Sequence, residues 1–247
     1  MAEKQVKSKK RVADHGEVFT AEREVNAMLD LVKDETERID SRFLEPACGE
    51  GAFLIKVLER KLNVVIAKYS KSEHDFEKQS IIALTSLYGI DILTDNAKIC
   101  RTRLYDYWNK IYTKYCKKSA SDTIRETARY ILEKNILIGN ALSLKLVDEH
   151  QQDTKDPIVF AEWTFVTGDK VQRRNYRLDV MLEAEGKAGT YKPLSLGLFD
   201  EDAGSSFESF DRDPITNEII PKPLKIDYPL VNYWEVQNYD QLTGDSI

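Results

Sequence analysis

The chain has no run of eighteen apolar residues, so no membrane-spanning helix is expected. Its first stretch, MAEKQVKSKKRVADHG, carries charge with no apolar segment behind it, which is not the pattern of a secretory signal. Cysteine is scarce: Cys48, Cys100 and Cys116 are widely spaced and odd in number. That leaves neither a disulfide framework nor a zinc-ligand spacing, and a reducing cytoplasm is the expected location. No internal repeat is visible. What is present is ordinary for a soluble globular protein: 247 residues, 32% charged and 42% hydrophobic. This length suits one large domain or one domain with an appendage, and it is enough to bury a core.

The net charge of -6 hides an asymmetry. Residues 1–140 hold 25 Lys and Arg against 22 Asp and Glu, a balance of +3, whereas residues 141–247 hold 11 against 20, a balance of -9. The overall sign argues against broad non-specific DNA binding but leaves room for a local basic surface. Lys4, Lys7, Lys9, Lys10 and Arg11 form one such arm, and residues 1–13 are expected to be disordered and solvated.

Apolar periodicity predicts a helix from Thr20, as N-cap, to about Lys33, with Val25, Met28, Leu29 and Val32 on one face. RFLEP reads as a strand, Gly51 opens a helix reaching about Ala67, and YSKSEHD is a polar break. FEKQSIIALTSL reads as a helix and YGIDI as a second strand. DNAKICRTRLYDYWNKIYTKY is a long helix, DTIRETARYIL a further one entered through Ser121 or Asp122, and NILIGNAL a third strand. Alternation of strand and helix to about residue 142 predicts a parallel sheet wrapped on both faces by helices. Beyond it the style changes. DEHQQDTKDP is a polar loop, and IVFAEWTFVTGDKVQRRNYRLDVML reads as a hairpin around Thr167, Gly168 and Asp169. Four of the seven prolines fall between residues 214 and 229, in a loop-rich region. The expected organisation is a basic arm at 1–13, an α/β core at 14–145 and a β/loop-rich C-terminal region at 146–247.

The chemistry concentrates in the turn EPACGEGAF, at the carboxyl end of the first strand, where open parallel sheets bind ligands. Gly49 and Gly51 let backbone approach a ligand without a Cβ in the way. Glu45 would repel a pyrophosphate but favour a ligand carrying an ammonium group. The second strand ends in Asp91, placed to accept hydrogen bonds from ribose hydroxyls, and Ile92 beside it can pack on an adenine face. The third ends in Asn140, whose amide both donates and accepts and suits an adenine edge. Taken singly, Asp91 could be a helix cap and Asn140 a turn residue. Together they describe the cation, ribose and adenine of S-adenosylmethionine (SAM).

FLEPACGEGAFL resembles motif I of the SAM-dependent DNA amino-methyltransferases, especially the adenine-N6 enzymes of restriction–modification systems. Upstream, HGEVFTAEREVNAMLDLV is similar to their motif X. The resemblance spans roughly residues 12 to 142 and implies a Rossmann-like SAM-dependent methyltransferase fold. It implies that Gly16, Val18, Phe19 and Thr20 line the methionine end of SAM. It adds Glu45, Pro46, Ala47, Gly49 and Gly51 from motif I, with Asp91 and Ile92 at motif II. Asn140 falls where motif III usually carries Asp, and Ala21 where motif X often has proline. Cys48 is the ordinary motif residue, read as a small buried group.

The family's catalytic loop, Asn/Asp/Ser-Pro-Pro-Tyr/Phe, holds the amine of a flipped base. No such tetrapeptide, and no Pro-Pro pair, occurs in this chain. The nearest segment is DPIVF, Asp156 to Phe160, one residue too long and preceded by polar HQQDTK. Asp156 is the catalytic candidate it offers, and a loop leading into a strand is the plainer reading. Lys170, Arg173, Arg174 and Arg177, near Tyr176, are candidate DNA contacts or simply a solvated strand face.

Three functions follow from these readings. The first is the SAM-binding subunit of a DNA methyltransferase whose catalytic and target-recognition parts come from a second methylase or specificity subunit. Residues 200–247, with Trp234, are the expected docking surface. The second is a non-catalytic SAM sensor or scaffold. The third is a self-sufficient methyltransferase using the segment around Asp156.

Overall fold

The computed structural model describes residues 20–187, 210–216, 219–224 and 228–243. Gly16, Val18 and Phe19, the basic arm, and most of the acidic stretch after residue 187 lie outside them. The first described element is α1 (Glu22–Asp30), which buries Val25 and Leu29. Ala21 is its N-cap and Thr20 makes no cap, because the helix starts one turn-position later than the sequence suggests. Met28 and Val32, expected on the buried face, are more than two-fifths exposed. A one-turn helix, α2 (Lys33–Thr36), leads toward the first strand.

Three parallel strands follow: β1 (Phe43–Glu45), β2 (Leu87–Asp91) and β3 (Ile136–Asn140). Glu45 stands level with Gly89, and Asp91 level with Ile138. Helices α3 (Ala52–Tyr69) and α4 (Glu73–Thr85) connect the first pair of strands. Helices α5 (Thr94–Cys116) and α6 (Asp122–Asn135) connect the second. Ser72 and Ser121 cap α4 and α6, each accepting a hydrogen bond from the backbone N–H three residues on.

The sheet is mixed. After β3 the chain turns back as β4 (Lys145–Val147) and β5 (Asp153–Pro157), both antiparallel, giving the order β1-β2-β3-β4-β5. The segment read as a polar loop is therefore mostly a hairpin. Its strands are too exposed to show an apolar alternation.

The helices share one core with Leu87 and Ile136 of the sheet. The opposite sheet face, with Tyr88 and Ile90, is covered by Ile158, Phe160 and Leu178, not by a second helical layer. Those residues belong to a ribbon of β6 (Val159–Phe165) and β7 (Lys170–Arg177), with its lead-in and exit. Gly168 takes a φ of 73° in its turn. The following LDVML is not strand but the start of α7 (Leu178–Lys187). A small hairpin pairs β8 (Phe210–Arg212) with β9 (Ile219–Pro221).

The last described segment returns to the core. β10 (Val231–Asn232) pairs with β7, and a 3-10 turn over Tyr233–Asn238 runs into α8 (Tyr239–Thr243). Tyr233 and Tyr112 each donate a hydroxyl hydrogen bond to Glu77, at 2.7 and 2.8 Å, and Tyr239 donates to the carbonyl of Val171 at 3.0 Å. Trp234 packs edge-on against Tyr233 and onto this core, so truncating it perturbs packing rather than an open surface.

Arg173 is buried too. Its guanidinium lies over the rings of Tyr228, Trp163 and Tyr130 and bonds Asn175, the Tyr130 hydroxyl and Asp240. It is a core residue, neither a DNA contact nor part of a solvated face. Alternation along β7 leaves Arg174 exposed, and Arg177 pairs with Asp179. Among the described residues no helix is long and apolar enough to cross a membrane.

Candidate functional site

The turn between β1 and α3 is held by the neighbouring strand β2 and by its own backbone. Cys48 donates its N–H to the carbonyl of Ile90, and the N–H of Gly51 bonds the Cys48 carbonyl, both at 2.8 Å. Gly49 and Gly51 adopt φ of 52° and 80°, the left-handed region that glycine enters without steric cost. They differ in surroundings. A Cβ on Gly51 would stand 2.7 Å from the Sγ of Cys100, so α5 closes that side. A Cβ on Gly49 would meet nothing within 4 Å. Backbone is therefore presented to open space at Gly49 and locked against a helix at Gly51.

Asp91 braces this arrangement from the end of β2. Its Oδ2 accepts from the N–H of Gly49 at 2.8 Å, and its Oδ1 from the N–H of Leu93 at 2.8 Å and from Asn96 at 3.4 Å. The side chain is only 8% exposed. Arg103 of α5 donates to the Glu50 carbonyl at 2.8 Å, a third tether on the turn.

Glu45 is half-buried at the end of β1. Burial pushes its carboxyl above the ordinary range, and the hydrogen bond it accepts from the Ala47 N–H pulls back only in part. Among the described residues no basic side chain lies within ion-pair distance of it. A buried carboxylate without a counter-charge favours an arriving cation. Pro46 and Ala47 are exposed beside it, and Ile92 is half-buried beyond Asp91. Thr20 is exposed just ahead of α1.

Asn140 ends β3, but its amide is engaged within the chain. Its Oδ1 accepts from the N–H of Leu142 at 3.0 Å, and its Nδ2 donates to Asp153 at 3.1 Å. Asp156 lies on β5, at the opposite edge of the sheet from β1. Four strand spacings, about 19 Å, separate those edges. The structure thus gathers Glu45, Gly49, Gly51 and Asp91 at one end of β1 and β2, with Ile92 beside them. It sets Asn140 one strand further on and Asp156 far from the turn.

Sequence reading missed Asn96, Cys100 and Arg103, which hold the turn from α5. Their signal is weak, since each falls inside an ordinary helical pattern. The cavity of about 530 Å³ lined by Asp34, Glu37, Arg38, Asp40, Lys68 and Tyr69 lies by the residues that precede β1, at the amino end of the strands. Ligands of open α/β sheets bind at the carboxyl end, which favours the glycine turn over that cavity.

The donor set at the turn fits a ligand with an ammonium group and a ribose. Glu45 can neutralise the first, Gly49 leaves room for it, and Asp91 sits at the end of the neighbouring strand where a ribose would lie.

Residues 18–187 match the family model described as "MmeI, DNA-methyltransferase domain". The chain is 24% identical over 200 residues to the Escherichia coli "Type II restriction enzyme and methyltransferase RM.Eco57I", in an alignment covering 73% of this chain and 18% of that protein. The chain thus spans less than a fifth of that relative's length. No solved structure matches the chain.

Proposed function

The chain belongs to the MmeI DNA-methyltransferase domain family, and from that premise we propose that it is the SAM-binding part of a cytoplasmic DNA adenine-N6 methyltransferase of a restriction–modification system. The observation that carries this reading is Glu45. It is a half-buried carboxylate without a basic partner among the described residues, beside the open backbone of Gly49. When bound, SAM supplies an electrophilic methyl group on its sulfonium. The chain's own residues bind and orient. Glu45 accepts the α-ammonium, Gly49 allows close backbone approach, and Asp91 holds Gly49 while reaching the ribose hydroxyls. Ile92 packs on the adenine, and Asn140 borders it from the next strand. The three parallel strands with their connecting helices are compatible with the Rossmann-like sheet that the family resemblance implies.

The target amine needs a hydrogen-bonding loop of its own, and the sequence contains no Pro-Pro pair to build the usual one. A second methylase or specificity polypeptide supplies it in this proposal, along with recognition of the DNA sequence. Asp156 is poorly placed to act instead, because β5 and β1 occupy opposite edges of the sheet.

The test is calorimetric binding of SAM to the purified chain, followed by transfer of labelled methyl to mixed-sequence DNA. SAM binding that Glu45→Gln weakens, with no label in DNA from this chain alone, is the expected pair of results. Absence of SAM binding overturns the proposal. Label in DNA that Asp156→Ala abolishes would establish the self-sufficient enzyme in its place.

A further inference from the structure

The turn from Glu45 to Gly51 has two walls, β1 before it and α3 after it, and one buried side chain ties them together. Lys61 sits in the third turn of α3, wholly buried, within the stripe of Leu54, Val57, Leu58, Leu62 and Val65. Its ammonium donates to the carbonyls of Arg38 and Ile39, both at 3.0 Å, and to that of Ser41. It also stands 5.2 Å from the ring centroid of Phe43, the first residue of β1. A protonated lysine has three N–H donors, and here all three serve the peptide groups leading into β1.

A buried charge is a poor way to gain stability, since an apolar side chain of similar size does as well or better. It is a good way to fix a geometry, because three carbonyls converging on one ammonium leave the approaching backbone little freedom. We propose that Lys61 is a positioning residue for the glycine turn: its ammonium sets where β1 lies against α3, and hence where Glu45 stands relative to Gly49. The inference rests on the reading of this turn as the SAM site.

The chemistry makes the device sensitive to protonation. Burial lowers the Lys61 ammonium to about 7; the Asp40 and Glu35 carboxylates work against that shift, and Arg38 works with it. The neutral amine retains two N–H donors, so one of the three carbonyls is released as pH rises.

Two measurements on the full chain test this. In the first, the Lys61 side chain is titrated by NMR while the backbone amides of Phe43, Leu44 and Glu45 are followed. The amides are expected to shift with the Lys61 midpoint. In the second, SAM affinity is measured for wild type and Lys61→Met at pH 6 and pH 9. The α-amino group of SAM titrates in the same range, so the quantity read is the ratio of the two affinities. The ratio is expected to be about tenfold at pH 6 and about twofold at pH 9, the fall between them reflecting the one charge-assisted hydrogen bond that the neutral amine of wild type has given up. A ratio that does not change with pH, or β1 amides that ignore the Lys61 titration, overturns the proposal. If Lys61→Met does not fold, the NMR titration of wild type decides alone. A wild-type chain that binds no SAM at either pH defeats the proposed function instead, and the amide shifts still decide the role of Lys61.

Discussion

The backbone N–H of Gly49 donates to the carboxylate of Asp91 at 2.8 Å, joining residues 42 apart in the sequence. This bond makes the turn after β1 depend on the end of β2. Asp91→Asn replaces one acceptor oxygen by a donor that faces an N–H, and charge-assisted bonds of this kind are worth about 2 kcal/mol. The variant is expected to unfold at lower denaturant and to bind SAM at least tenfold more weakly. Chemical denaturation and calorimetry on the same sample check both.

Gly49 and Gly51 should part company under the same substitution. Gly51→Ala meets Cys100 and an unfavourable φ together, which predicts a loss of about 2–4 kcal/mol. Gly49→Ala meets only the φ, about 1 kcal/mol, but it fills the open space beside Glu45. Urea midpoints are expected to separate the first from wild type more than the second. SAM binding is expected to fall in the second despite its near-native stability.

Glu45 predicts opposite effects on stability and binding. Its folded-state pKa is raised by burial, so the folded chain holds this proton more tightly than the unfolded one. The associated stability is present at low pH and is lost as pH rises through the folded value. At neutral pH the ionised carboxylate is a liability to the ligand-free fold. Glu45→Gln is therefore expected to raise the melting temperature of the free chain at pH 7 while lowering SAM affinity about tenfold. Thermal melts with and without SAM read both signs.

Arg173 carries a stability prediction with no counterpart in ligand binding. Arg173→Met leaves the Asp240 carboxylate to Lys134 and the Tyr130 hydroxyl and removes the guanidinium from three aromatic rings. Breaking a buried pair on one side costs about 3 kcal/mol. The measurement is the denaturation midpoint, with SAM affinity at 10 °C expected to stay within twofold.

Much of the first half was legible because its physics is local. Ser121 caps α6, Leu54, Val57 and Leu58 repeat at helical spacing, and two glycines interrupt the pattern after Glu45. The β4–β5 hairpin was not legible, because strands that bury little need no alternating pattern. The C-terminal segment was not legible for a different reason. Tyr233 is a core residue through contacts distant in sequence: Glu77, 156 residues earlier, accepts its hydroxyl, and Phe165 packs beside its ring. In the site, the turn announced itself through glycine spacing. Lys61 lay in plain view as a charge on an apolar stripe, yet its role required the fold of residues 38–43. Cys100 and Arg103, which hold the turn from α5, carried no comparable mark.

Among the described residues β1 is the first strand and also the outermost in its sheet. Phe43 bonds the β2 side through its N–H to Ser86, so alternation turns the N–H and C=O of Leu44 the other way. The Leu44 side chain is 42% exposed as well. The glycine turn therefore sits on a border of the sheet, not in its interior. Any segment that extends the sheet across this seam arrives beside Glu45 and, by geometry alone, borders the glycine turn.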